Sequence, residues 1–125
     1  QFSILKDIQR RLPNFPIVLH GGSAVNLDEI KRINLSGGNL DNGTAGVSSD
    51  EIVKAINYGV CKINIATDLR LLWARVHREF FKNSPKLFDP VVPGKKYIEE
   101  FEKFMIKKFQ LLGSFDKAKE IILNN

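Results

Sequence analysis

Apolar residues along this chain recur at two spacings, and the switches between them lay out its elements. Ile4, Leu5, Ile8 and Leu12 repeat at helical intervals until Pro13-Asn14-Phe15-Pro16, where proline predicts the end of a first helix. The apolar run Pro16-Ile17-Val18-Leu19-His20, bounded by Gly21-Gly22, reads as a buried strand. A short helix is expected around Leu27 to Asn34. The segment Ser36 to Val47, rich in Gly and Asn, is expected to be a loop. Ser48 or Ser49 then caps a helix carrying Ile52, Val53 and Ile56, closed by Gly59. A second strand follows from Val60 to Ile65. Thr67 and Asp68 fall where an N-cap and first turn belong, and the helix they start carries Leu69, Leu72, Trp73, Val76 and Phe80 on one stripe. Pro85, Pro90 and Pro93 mark a linker. Beyond it a long helix from about Lys95 to Leu112 is expected to bury Ile98, Phe101, Met105, Phe109 and Leu112, and a last short helix ends in Ile121-Ile122-Leu123. The order is αβααβααα, without internal repeats.

Two strands joined by helical crossovers should lie parallel, with a right-handed connection. A two-stranded parallel sheet cannot cover its own faces and edges, so it makes no domain core by itself. The expectation is therefore a piece of a larger α/β fold, and the opening Gln1 in place of Met points the same way.

Composition removes other classes. At 43% hydrophobic and 26% charged residues the chain is neither collagen-like nor disordered. No apolar run approaches the roughly 20 residues of a membrane span, and no secretory signal opens the sequence. The single Cys61 forms no internal disulfide, which suits a reducing, cytoplasmic compartment. A net charge of +5 invites a nucleic-acid reading. The charges argue against it, because the Lys residues from Lys95 to Lys119 are interleaved with Glu99, Glu100, Glu102, Asp116 and Glu120, the pattern of a solvated helix face.

Candidate chemistry gathers at the carboxyl ends of the two strands, where ligands of parallel α/β folds sit. Alternation puts Val18 and His20 on one face, and Lys62, Asn64 and Ala66 on one face of the second strand. Cys61, Ile63 and Ile65 then face the helices, so Cys61 is expected to be a packing residue. The turn Gly21-Gly22-Ser23 and the segment ending in Thr67 bring backbone N–H groups and hydroxyls to one place, a plausible phosphate cradle with a metal ligand, His20, beside it. Each has a plainer reading. His20 is a hydrogen-bonded core residue, Gly21-Gly22-Ser23 a turn, Thr67-Asp68 a cap and Asn64 a partner for the strand end. His77, among Arg75, Arg78 and Glu79, is expected on the surface.

The strings themselves carry more. Val18-Leu19-His20-Gly21-Gly22-Ser23 resembles a signature of the class II, zinc-dependent ketose-bisphosphate aldolases. Gly59-Val60-Cys61-Lys62-Ile63-Asn64-Ile65-Ala66-Thr67-Asp68-Leu69-Arg70 resembles the second. Phe88-Asp89-Pro90 and the stretch Lys107 to Ser114 are similar to the family's C-terminal region. The resemblance implies a (β/α)8 TIM barrel of roughly 250 residues or more. Residues 1–125 would be its C-terminal portion, with strands seven and eight, flanking helices and C-terminal helices. It implies Zn2+ as cofactor, with His20 as one ligand, and places the phosphate of dihydroxyacetone phosphate on Gly21, Gly22, Ser23, Asn64, Ile65, Ala66 and Thr67. Arg70 matches an Arg that in part of the family meets the other phosphate of the bisphosphorylated ketose.

The implied reaction is a reversible retro-aldol cleavage, with zinc as Lewis acid in place of a lysine Schiff base. The general acid/base Asp and the remaining zinc-binding His residues would lie in an N-terminal half. Alone the chain would be inactive, since a catalytic zinc takes about three protein ligands. A homo-oligomer is implied, without nucleic-acid or membrane partners. Ala66 matches tagatose-bisphosphate enzymes, whereas the loop Ser36 to Val47 matches fructose-type members, and the reading leans to fructose 1,6-bisphosphate. The competing class is a non-catalytic phosphate-binding or oligomerisation fragment built on the helix from Lys95 to Leu112.

Overall fold

The structure is a computed structural model that describes residues 1–23, 25–41 and 46–123, without the side chains of residues 121 and 123. Helix α1 spans Phe2–Arg11 and strand β1 Ile17–Leu19, followed by α2, Leu27–Leu35, and α3, Ser49–Ile56. Strand β2 spans Val60–Ile63, α4 Thr67–Asn83, α5 Val91–Leu111 and α6 Ala118–Leu123. The expected order of elements is the observed one. The middle of the expected loop Ser36 to Val47 lies outside the described residues.

β1 and β2 are adjacent and parallel. Their ladder runs on past the strand ends, because Asn64 N–H donates to the Leu19 carbonyl at 3.0 Å and Ile17 N–H to that of Gly59 at 2.9 Å. Ile17 pairs with Val60 but Val18 with Lys62, so Cys61 is an extra residue on β2. This bulge corrects the expected alternation. Val60 is buried, whereas Cys61 is exposed rather than the packing residue expected, its Sγ 3.6 Å from the Ile17 carbonyl oxygen. β2 also stops two residues short of Ile65, where the chain turns into α4.

Local chemistry starts α2 and α3 where the sequence places them. Asn26 caps α2 by accepting from Asp28 N–H. Of the two candidate serines, Ser48 caps α3 by accepting from Glu51 N–H, and the Glu51 carboxylate accepts in return from the Ser48 N–H. That exchange, through the Ser48 backbone first and its hydroxyl second, holds the Glu51 carboxyl below its ordinary value. The proline linker is shorter than expected: Pro90 is the N-cap of α5, and Pro93 sits within its first turn, where a missing N–H costs nothing.

The core is Ile30, Ile33, Ile52, Ala55, Val60, Leu72 and Val76, where α2, α3 and α4 meet the sheet. α4 packs against α2 on one side and α5 on the other. Trp73, expected on the buried stripe of α4, is 53% exposed and stacks its ring on His77 at 4.2 Å. His77 is half-buried rather than on the open surface, and its Nδ1–H donates to the Trp73 carbonyl. On α5, Ile98 is 64% exposed and Phe109 is also exposed, while Phe101, Met105 and Leu112 are half-buried. One helix stripe is thus only partly covered by the described residues.

Candidate active site

The carboxyl ends of β1 and β2 carry His20 and Asn64, and their side chains meet. Asn64 Nδ2 lies 3.1 Å from His20 Nδ1 and 3.4 Å from Nε2. On the far side of the amide, Lys62 Nζ donates to Asn64 Oδ1 at 3.0 Å. An ammonium only donates, so it fixes which way the amide points: oxygen to Lys62, NH2 to His20. A ring nitrogen of His20 is thereby held as an acceptor, a lone pair of the kind a metal takes. Sequence reading put Lys62 and Asn64 on one face and missed the relay, whose only signal was that spacing of two residues.

The second half of the site is Ser23. Its Oγ accepts hydrogen bonds from Ala66 N–H and Thr67 N–H, both at 3.1 Å. α4 has no cap from its own chain neighbour Ala66, and Ser23 supplies one from the neighbouring strand's turn. The expectation that backbone N–H groups and hydroxyls gather here as donors is therefore modified. The amides are spent on Ser23, whose lone pairs they fill, and only its O–H remains to donate. Ser23 is buried, and Gly22 beside it has no room for a side chain: a Cβ there would stand 2.5 Å from Ile63 Cγ2. That contact locks the turn onto β2.

The other expected residues sort by position. Gly21 is exposed, with φ at +71°, and turns the chain away from β1. Ile65 is half-buried, and Ala66 and Thr67 are exposed at the start of α4. Arg70 lies apart, along a shallow groove with Leu69, Trp73 and Tyr97. Among the described residues no hydrogen bond or ion pair joins it to His20 or Ser23.

Sequence reading also missed a buried charge cluster behind the site. Arg75, 5% exposed at its side chain, donates to Glu29 at 2.6 Å, Glu79 at 3.3 Å and Glu100 at 3.1 Å, so it ties α2, α4 and α5 together. Burial is the largest influence on this guanidinium and disfavours its charge. Glu29 foremost, with Glu100 and Glu79, outweighs it and raises the Arg75 pKa. Glu79 is a local i,i+4 partner, but Glu29 and Glu100 lie 46 and 25 residues away and left no local signal.

A model of the family described as class-II fructose-bisphosphate aldolase matches residues 1–117. The chain belongs to that family. Its members are (β/α)8 barrels, and the parallel β1–β2 pair with helical crossovers is the arrangement of two successive strands in such a barrel. The chain is 38% identical over 117 residues to the fructose-bisphosphate aldolase of Stutzerimonas stutzeri, covering 94% of this chain and 33% of that protein. The Treponema pallidum protein of the same name is 36% identical over 123 residues, covering 94% and 36%. Fructose-bisphosphate aldolase class 2 of a Synechocystis species is 37% identical over 126 residues, covering 98% and 35%. The chain spans about a third of the length of the curated relatives it matches.

Class II aldolases are in general zinc enzymes, and the donor at this site that suits such an ion is His20. His20 offers an imidazole lone pair now satisfied by an amide, which suits one coordination bond. Among the described residues no group of three His, Cys, Asp or Glu side chains could hold a metal ion. The described residues thus fit one ligand of such an ion, at His20.

Proposed function

We propose that this chain is the C-terminal portion, with strands seven and eight, of a class II aldolase barrel. On this reading the assembled enzyme reversibly cleaves fructose 1,6-bisphosphate to dihydroxyacetone phosphate and glyceraldehyde 3-phosphate. The observation that carries the reading is the meeting, at the carboxyl ends of two adjacent parallel strands, of a His20–Asn64 pair and a Ser23–α4 junction. A zinc ion bound there would polarise the substrate's ketone. His20 would give it one ligand through the ring nitrogen that now accepts from Asn64, and the Asn64 NH2, turned by Lys62 and released from that nitrogen, would be offered to a substrate oxygen.

The phosphate of the dihydroxyacetone phosphate half would sit on Gly21, Gly22, Ser23, Asn64, Ile65, Ala66 and Thr67. Ser23 donates its O–H, and the positive end of α4 stands behind it through the two amides that Ser23 holds. These groups are fixed by β1, β2 and α4, so little reorganisation is needed to receive charge. Arg70, which lies in a groove with Leu69, Trp73 and Tyr97, would meet the second phosphate. A homo-oligomer is implied by the family resemblance. The cytoplasm is the expected location, and no helix among the described residues is long and apolar enough to cross a membrane.

Fructose is preferred over tagatose because the relatives cited above are named fructose-bisphosphate aldolases, although Ala66 matches tagatose-type members. The test is cleavage of the two bisphosphates by the complete protein that carries this chain. The expected result is faster turnover of fructose 1,6-bisphosphate, abolished by a chelator and restored by zinc. Faster turnover of the tagatose substrate would exchange the specificity. Absence of cleavage, with inorganic phosphate still bound, would favour the non-catalytic alternative.

A further inference from the structure

The loop from Ser36 to Val47 holds none of the residues assigned to the phosphate, yet its end lies against one of them. Gly46 faces the Ser23 peptide: a Cβ built there would overlap the Ser23 carbonyl oxygen and stand 3.0 Å from the Val25 nitrogen. Both are backbone atoms, which cannot swing aside as the tip of a side chain can. The loop is tied down on either side of this contact. At its start, Asn34 Nδ2 donates to the Leu40 carbonyl and Asn34 Oδ1 accepts from Leu40 N–H, both at 2.8 Å. Arg78 and Lys82 of α4 donate to the carbonyls of Gly37 and Leu35, at 2.7 and 2.6 Å. At its end, the Ser48–Glu51 exchange fixes the entry to α3, whose Ile52 and Ala55 are buried in the core. α3 is thus poorly placed to retreat. Ser23 Oγ, on the same residue that Gly46 touches, holds the Ala66 and Thr67 N–H groups, so a shift of that peptide moves the cap of α4 as well.

We propose that Gly46 is a positioning residue for the phosphate cradle: with no side chain of its own, it lets the loop lie on the Ser23 peptide and so fixes where the Ser23 hydroxyl points. The inference rests on the phosphate reading above. It gives the loop a part in substrate binding through one backbone contact. A methyl group on Gly46 has to be taken up at this contact, and with α3 anchored the Ser23 peptide is what moves. The two bonds to Ser23 Oγ are each 3.1 Å long and leave little slack, so that movement misaligns the O–H that would meet phosphate. Such an effect passes through Ser23 alone. A general loss of packing would not depend on the Ser23 hydroxyl.

The experiment measures binding of inorganic phosphate to the complete protein by calorimetry, with folding monitored by thermal unfolding. Gly46→Ala should weaken phosphate about tenfold, the low end for losing one hydrogen bond to a charged group. On a Ser23→Ala background the same change should cost less than about twofold, because the hydroxyl it acts through is gone. Full additivity of the two losses would show that Gly46 acts elsewhere, and would overturn the proposal. Should Gly46→Ala not fold, amide hydrogen exchange of the wild-type protein decides. Saturating phosphate should slow exchange at Gly46 and Val47 together with Ala66 and Thr67. Slowing at Ala66 and Thr67 with Gly46 and Val47 unchanged overturns the proposal. Ser23→Ala separates the two levels. If it binds phosphate as wild type does, the cradle reading falls and this inference with it. If Ser23→Ala is weakened while folded Gly46→Ala is not, only Gly46 is wrongly assigned.

Discussion

At the scale of single residues, the site is built on side chains that hold backbone and other side chains in place. Ser23 is the clearest case, because one hydroxyl terminates β1's turn and caps α4 together. Replacing it by Ala leaves two helix-terminal N–H groups without that partner, at about 1–3 kcal/mol. It also removes the donor assigned to phosphate. In the complete enzyme, Ser23→Ala should lower kcat/KM for the bisphosphate about tenfold to a hundredfold, read by steady-state kinetics; wild-type efficiency would place the phosphate elsewhere. How legible this was from sequence depends on the residue. His20, Ser23, Asn64 and Thr67 stood out as polar residues at the ends of apolar strands, and the structure brings His20 to Asn64 and Ser23 to the Thr67 N–H. That Ser23 would accept rather than donate toward Ala66 and Thr67 was not legible, since it depends on how two turns dock.

At the scale of elements, periodicity located every helix and strand, and its errors have physical causes. Strict alternation put Cys61 against the helices, and a bulge that no local residue signals turned it outward. The stripe on α4 was drawn through Trp73, whereas the covered positions run through Leu72, Arg75 and Val76. An arginine was not a candidate for that stripe until its three carboxylates, on three helices, were seen around it. Replacing Arg75 by Met should destabilise the protein by about 3 kcal/mol, the low end of the cost of breaking a buried ion pair, because Glu29, Glu79 and Glu100 keep some contact with water. The cluster also sets an acid limit. The Glu100 carboxyl is held below its ordinary value near 4.5, by the Lys103 hydrogen bond first and, against the opposing effect of burial, by that from Arg75. A lowered folded pKa stabilises above the unfolded value, and that stability is lost as pH falls through the folded one. Thermal unfolding between pH 6 and 3 should therefore show Tm declining below about pH 4.5. Glu100→Gln should decline less steeply, and an identical decline would remove Glu100 from the account.

At the scale of the whole molecule, two parallel strands carry a catalytic-looking end on a sheet that is open elsewhere. Val18 is 44% exposed beside His20, and Leu27, Leu35, Ile98 and Phe88 also present apolar surface to solvent. In a barrel of which these are two strands, neighbouring strands and helices would cover such faces, and the chain spans about a third of its relatives' length. The family membership and the parallel register agree with that picture, and the central claim is chemical: His20 is a metal ligand of an aldolase. Zinc content and retro-aldol activity of His20→Ala in the complete protein test it most directly, with cooperative unfolding as the control for folding. The account predicts that bound zinc and activity disappear together while the unfolding transition stays cooperative. A folded His20→Ala protein that retains one zinc per site would contradict it and leave His20 as a partner for Asn64.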